Sequence, residues 1–244
     1  MIKIENVEVL GFEAAIRGMR NPMNSWDKSD SGICKGGDDG IGCINCAAGW
    51  NICQHTFDHS FQIGLKDYQL MISLTRGGPV HAKYRRFITV YHDITAPLYW
   101  WKEFDTYRIG VCPNPTDIEM NSCSTMHKIH EKEFTLDDFS HEHLIGTFDY
   151  MPPMEEKYTP LGLLEITIQH LNSYRRAFLA TKDKIWWWQI IQNLPTTYNQ
   201  KRTVKLNYEV LANAHPMRKD HKLDEWQEYC QWIKTLPCSK VITG

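Results

Sequence analysis

The chain has 244 residues, with 27 Lys+Arg against 29 Asp+Glu and a formal net charge of −2. At 23% charged and 42% hydrophobic residues the composition is that of a folded globular domain, which excludes a disordered chain and, with its balanced charge, a strongly basic nucleic-acid binder. No apolar run approaches the roughly 20 residues of a bilayer span, and the N-terminus alternates polar and apolar residues where a signal peptide would be continuously apolar, so a cytoplasmic protein with no membrane partner is expected.

Along the chain, Ile2 to Leu10 alternates and reads as a strand. Phe12 to Met19 carries Ala14, Ala15, Ile16 and Met19 at helical spacing, and the Asn-, Ser- and Asp-rich stretch after it is a loop. Residues 32–60 form a Gly- and Cys-rich insertion, irregular from Gly32 to Gly49. Asp67 to Arg76 is expected to be a helix ended by Gly77-Gly78-Pro79. Arg86 to Ile94, β-branched and aromatic, is expected to be a strand. Pro97 suits the first turn of a helix through LYWWKEFDTYR. Val111 to Met120 reads as a loop, and Thr135 as the N-cap of LDDF. Four helices are expected beyond it: Leu161 to Thr181, Lys184 to Asn193, Arg202 to Asn213 stopped near Pro216, and Leu223 to Thr235. No repeat or linker separates parts of the chain. The reading is one α/β or α+β domain over residues 1–244, an antiparallel sheet flanked by helices with a helical C-terminal half.

Cys34, Cys43, Cys46 and Cys53 lie in a C-x8-C-x2-C-x6-C pattern, with His55 and His59 just after. Four thiolates suit tetrahedral zinc, yet only one close C-x2-C pair is present where the usual pattern has two. Reduced thiols in a surface insertion are the expected reading, with no bound metal. Aromatic residues reach 12%, nine of them Trp. Such side chains fill cores, build subunit interfaces or stack on flat ligands. Trp186, Trp187 and Trp188 cannot all face one way on a helix, so at least one should meet a second element or another subunit.

The segment APLYWWKEFDTYRIG…NSCSTMHK, Pro97 to Lys128, resembles the flavin-dependent thymidylate synthases, and looks most like their divergent phage and prophage branch. Laid on the family signature R-H-R, spacer, S-x-N-E-x-S-x-R-Y, the chain gives Thr106, Tyr107 and Arg108, an inserted loop, then Asn121, Ser122, Ser124, Met126 and His127. Arg108, Asn121 and Ser124 match. GGPVHAKYRRF aligns to the family's H-x-T-P-x-E-H stretch and places its first His at His81. LPTTYNQKRTVKLNYEVLANAHPMRKDH resembles its LP…N-x5-N-x4-R…H pattern, with Asn207, Asn213, Arg218 and His221 on the functional positions. The three blocks run in the family's order and cover residues 81 to about 233.

The resemblance implies reductive methylation of dUMP to dTMP, with FAD as cofactor, NADPH and methylenetetrahydrofolate as co-substrates, a homotetramer, and a bacterial or phage-infected host cytoplasm. Arg218 becomes the expected catalytic residue, because a fixed guanidinium beside a uracil carbonyl stabilises the charge that develops as C5 becomes nucleophilic. Ser124, expected near the nucleotide, is the second expected catalytic residue. His81, Arg108, Asn121, Asn207, Asn213 and His221 are expected at the flavin. Read without the resemblance, Arg218 is a solvated residue after Pro216, Asn207 and Asn213 are an exposed pair, Arg108 pairs with Glu103 or Asp105, and Ser124 caps a turn. Two family arginines are replaced here by Met126 and Ile191, which removes charge-assisted phosphate contacts unless Lys128, Arg202 or Lys205 substitutes. Two alternatives follow: a flavoenzyme acting on another pyrimidine nucleotide, as in phage DNA modification, or a non-catalytic binding or inhibitory relative.

Overall fold

The computed structural model describes residues 2–33, 61–110, 118–147 and 159–244. The four clustered cysteines, His55 and His59 lie outside the described residues. The chain combines helices with an antiparallel sheet, as the sequence led us to expect. The main sheet has the order β1-β4-β6-β5, from β1 (Lys3–Leu10), β4 (Thr89–Pro97), β5 (Glu119–Ser122) and β6 (Asn199–Asn207). A small antiparallel pair joins β2 (Gly32–Ile33) to β3 (Phe61–Gln62). The helices are α1 (Phe12–Arg20), α2 (Leu65–Arg76), α3 (Leu98–Gly110), α4 (Pro160–Thr181), α5 (Lys184–Asn193), α6 (Tyr208–Arg218), α7 (Asp224–Ile233) and α8 (Lys240–Thr243). Among the described residues no helix is long and apolar enough to cross a membrane.

Three expectations change. Arg202 to Asn213 is not one helix: β6 runs to Asn207 and α6 starts at Tyr208. Gln200, Val204 and Leu206 are buried at even positions, so the period is two and β-branched and aliphatic residues line one face. The helix does not stop at Pro216 either. The proline sits in the last turn of α6, where its missing N–H costs a single bond, and Lys219 N still donates to His215 O at 2.9 Å. The strand expected over Arg86 to Ile94 begins at Thr89 and ends at Pro97, after a 3₁₀ turn over Lys83–Phe87, so Pro97 closes a strand and precedes α3.

Residues cluster into two compact units. The first comprises Met1–Glu5, Asp93–Thr106 and Met120–Thr203. Its core gathers Ile129, Phe134, Phe139, Leu164, Ile168, Leu171 and Ile190. Leu164, Ile168 and Leu171 recur at steps of four and three, which puts them on one face of α4. Thr159 Oγ1 caps that helix by accepting from Gly162 N at 3.0 Å, with Pro160 in its first turn. The buried Asn172 accepts from Phe134 N at 2.9 Å and donates to Phe134 O at 2.8 Å, tying an irregular segment to α4. Trp187 Nε1 donates to Met126 O at 2.9 Å, and Trp186 stacks on Tyr174, so two of the three consecutive tryptophans meet a second segment or helix.

The second unit comprises Asn6–His92, Tyr107–Glu119 and Val204–Gly244. Gly11 adopts φ 96°, and a Cβ there would stand 2.0 Å from Phe87 O, so only glycine admits this approach at the start of α1. A fully buried Asp67 anchors α2. Its Oδ1 accepts a hydrogen bond from Arg20 Nε at 2.6 Å, and its Oδ2 accepts from Ser29 Oγ, Ser31 Oγ, Asp30 N and Ser31 N. The guanidinium is completed by Ser25 O and Lys28 O. On α7, Trp226, Tyr229, Cys230 and Ile233 are buried at helical spacing.

Candidate active site

Two of the eight expected site residues, Asn213 and Arg218, lie on helix α6, a third, Asn207, caps it, and His221 follows it closely. Asn207, the last residue of β6, caps α6 with its side chain, accepting from Val210 N at 3.0 Å. Asn is suited to that position because its short amide reaches the unpaired N–H groups of the first turn. A continuous helix would have turned Asn207 and Asn213 to different faces. Because the helix begins between them, that constraint lapses. Asn213 is half-buried on α6, and Arg218 ends the helix, where a cation complements the carbonyl end of the dipole. Asn207 and Arg218 therefore sit at opposite ends of a helix about 16 Å long.

At the N-terminal end, the block around His81 meets the C-terminal block. Tyr208 N donates to Ile88 O at 3.0 Å, and Glu209 faces Arg85, with Arg85 Nη1 3.9 Å from Glu209 Oε2. Both side chains are about nine-tenths buried. Among the described residues, Arg85 Nε and Glu209 Oε2 have no hydrogen-bond partner. Glu209 and Asn213 are four residues apart and share a face of α6. His81 itself is exposed, in the turn after α2, with its N–H on Gly78 O.

At the C-terminal end, the signature block meets the C-terminal block. Arg218 Nε donates to the Tyr107 hydroxyl. The guanidinium carbon lies 4.7 Å from the Trp226 ring centre and 5.3 Å from that of Tyr107. Both rings are buried, at 0% and 3% exposure. His221 joins the same cluster: its N–H bonds Arg218 O at 3.1 Å, its Nδ1 accepts from Leu223 N at 3.1 Å, and its ring packs edge-on to Trp226. Arg108 falls in the last turn of α3, with its side chain outside what is described.

Nearby, His215 is buried, and its Nε2 has no hydrogen-bond partner among the described residues; burial, then Lys234 and Lys219, hold its pKa below the ordinary histidine value. Burial pushes the Cys230 thiol up to about 11, against the opposing pull of Lys234 and Arg218, so it stays protonated near neutrality. A protonated thiol is neither nucleophile nor metal ligand. Among the described residues no group of three or more His, Cys, Asp or Glu could hold a metal ion.

The remaining site residues belong to the first unit. Asn121 is exposed on β5. Ser124 is exposed, and its Oγ accepts from Met126 N at 3.2 Å and His127 N at 2.8 Å, so it closes a local turn. The cations considered as replacements for the missing arginines already have partners. Lys128 pairs with Glu131. Arg202 donates to Asp105 at 2.8 Å and to Gln200 at 3.0 Å while lying 4.3 Å over Trp101. In the second unit, Lys205 pairs with Glu119 at 3.2 Å.

Tyr107, Trp226, Arg85 and Glu209 did not emerge from the sequence as site residues. Trp226 carries a helical-spacing signal that reads only as core. Tyr107 stands where the family signature has His and counted as a departure. No spacing links Arg85 to Glu209.

No family model and no curated protein sequence matches the chain. Solved structures do. The flavin-dependent thymidylate synthase ThyX from Helicobacter pylori, complexed with FAD and dUMP, superposes with a TM-score of 0.60 at 14% identity, over 98% of this chain and 98% of that one. A UMP/dUMP methylase, PolB from Streptomyces cacaoi, bound with 5-Br dUMP, superposes with a TM-score of 0.54 at 12% identity, over 98% of this chain and 93% of that one. The chain thus shares its fold, over nearly its whole length, with these two pyrimidine-nucleotide proteins.

Proposed function

We propose that this chain is a flavin-dependent enzyme that methylates C5 of a pyrimidine deoxynucleotide, converting dUMP to dTMP with methylenetetrahydrofolate as one-carbon donor and NADPH as reductant. The observation that carries this reading is Arg218: it ends α6 with its guanidinium held against Tyr107 and Trp226, so that a residue of the C-terminal block meets one of the signature block. A preorganised guanidinium stabilises negative charge growing on a uracil carbonyl without reorganising at the moment of reaction. No cysteine nucleophile is required, in keeping with the protonated, buried Cys230. Ser124 is assigned to the nucleotide.

The residues fit a flavin. Arg85 Nε and Glu209 Oε2 are a buried donor and acceptor without hydrogen-bond partners among the described residues, and Asn213 shares the Glu209 face of α6. A planar heterocycle with adjacent carbonyl and N–H groups would satisfy both atoms. Asn207, Asn213 and His221, with Arg108, Asn121 and His81, would hold FAD, and the bound cofactor supplies the redox chemistry. A homotetramer in the cytoplasm completes the proposal; Ile185, Trp186 and Trp188 on α5 are exposed and suit a subunit contact.

A second reading has a specific observation behind it. Met126 is exposed, Ile191 packs on the apolar core, and Lys128, Arg202 and Lys205 are all paired with carboxylates. Those phosphate cations are missing, so dUMP loses charge-assisted contacts that the family resemblance implies, and another pyrimidine nucleotide is the alternative substrate. Calorimetry on protein incubated with FAD, using dUMP, UMP, dCMP and AMP in turn, tests both readings. Binding of dUMP supports the first, and binding of another pyrimidine nucleotide alone supports the second. Colourless protein that takes up no FAD and binds no nucleotide overturns both in favour of a non-catalytic relative.

A further inference from the structure

We propose that Tyr107 is a positioning residue for Arg218: its hydroxyl and ring, with the Trp226 indole, fix the orientation of the guanidinium at the end of α6. The inference rests on the reading of Arg218 given above and concerns how this chain makes that arginine rigid. An arginine has one Nε–H, and it lies in the guanidinium plane. Directing that N–H at the Tyr107 oxygen therefore fixes the rotation of the plane about the side chain. Trp226 covers the guanidinium from 4.7 Å, and the Tyr107 ring lies 5.3 Å away, so cationic contact with π-faces adds to the hydrogen bond. The two rings are themselves fixed. Tyr107 and Trp226 pack with ring centres 5.5 Å apart at 58°, and Trp226 packs edge-on against the buried Tyr229.

This fixing comes from departures and from core residues together. Tyr107 occupies a position where the resembled family has His. Its hydroxyl is the part that no packing role requires, because the ring alone fills the buried volume. A phenylalanine keeps the ring and removes the hydroxyl, so the Arg218 Nε–H loses this acceptor.

The test uses the full-length Tyr107→Phe protein with two independent readouts. The first needs no ligand: the ¹H–¹⁵N signal of the Arg218 Nε–H, assigned by its loss in Arg218→Lys. In the wild type this proton exchanges slowly with water, and in Tyr107→Phe its exchange accelerates at least about tenfold. An unchanged exchange rate overturns the proposal. The second is turnover of the nucleotide that the binding panel identifies. Tyr107→Phe lowers kcat about tenfold while KM stays within about twofold, and adds little in an Arg218→Ala background. Faster exchange with unchanged kcat overturns the positioning role while leaving the hydrogen bond established. Slow exchange in a wild type that binds no pyrimidine nucleotide overturns the functional reading of Arg218, and with it the catalytic purpose assigned to Tyr107. The thermal midpoint of Tyr107→Phe, expected to lie close to that of the wild type, separates loss of orientation from loss of folding.

Discussion

Replacing Asp67 by Asn removes a single charge from a buried group that, among the described residues, accepts five hydrogen bonds. The wild-type carboxylate takes one donor on Oδ1, from Arg20, and four on Oδ2, from Ser29, Asp30 N, Ser31 N and Ser31 Oγ. An asparagine amide has one acceptor and one donor end. Whichever way it turns, its NH2 faces either the Arg20 guanidinium or the cluster of four donors. The guanidinium, at 5% exposure, is left buried without its counter-charge. Breaking such a pair from one side costs about 3–5 kcal/mol, a large part of the roughly 5–15 kcal/mol that holds a typical domain folded. With a urea slope of about 3 kcal/mol/M, the unfolding midpoint falls by about 1–2 M. Arg20→Met should cost less, because the carboxylate keeps its four other donors. The pH dependence carries the same signature. Burial pushes the Asp67 carboxyl up, but the bonds from Ser29, Ser31 and Arg20 together hold it below its ordinary value. The folded pKa is depressed, so the stabilisation is complete above the unfolded value, about 4, and is lost as pH falls through the folded value. Asp67→Asn lacks that acid-side slope. An Asn variant whose urea midpoint and acid slope both match the wild type would refute the assignment of this pair as the anchor of α2.

Other predictions follow from the same structure. Asn172→Leu leaves Phe134 N and O without their side-chain partner and should cost about 2–4 kcal/mol, read from urea midpoints. Arg202→Lys removes the planar group that lies over Trp101 and bonds Asp105 and Gln200, with an expected loss of about 1–2 kcal/mol by the same assay. His215 has a depressed folded pKa, through burial first and then Lys234 and Lys219. Its contribution is complete above the ordinary histidine value, about 6.5, and is lost as pH falls below it, so His215→Gln should show a shallower loss of stability between about pH 7 and 5.

What the sequence made legible and what it hid have physical causes. The strand at Lys3–Leu10 and the helices α1, α2, α4, α5 and α7 follow hydrophobic periodicity, and the structure adds Pro160 in the first turn of α4 and an N-cap at Asp183 for α5. The β6-to-α6 switch was missed because RTVKLNYEVLANA is apolar on both sides of Asn207, and the strand period covers only a few residues before the helical one begins. Asn207 holds the missing clue, being an N-cap residue in the middle of an apparent helix. At the proposed site, the family resemblance points to Arg218, Asn207, Asn213 and His221, which lie close together along the chain. It could not find Tyr107 beside Arg218, or Arg85 beside Glu209, because those pairs are made by tertiary packing between distant segments. A buried ring and a buried ion pair leave no mark in a one-dimensional pattern.

If Arg218 stabilises the charge that develops as a pyrimidine C5 becomes nucleophilic, the most direct test is tritium release from C5-tritiated dUMP by protein loaded with FAD and supplied with NADPH and methylenetetrahydrofolate. Wild type should release tritium only when both co-substrates are present, and Arg218→Ala should do so about 10²–10³-fold more slowly. No release by a wild-type protein that binds dUMP and whose flavin is reduced, or near-normal release by Arg218→Ala, would contradict it.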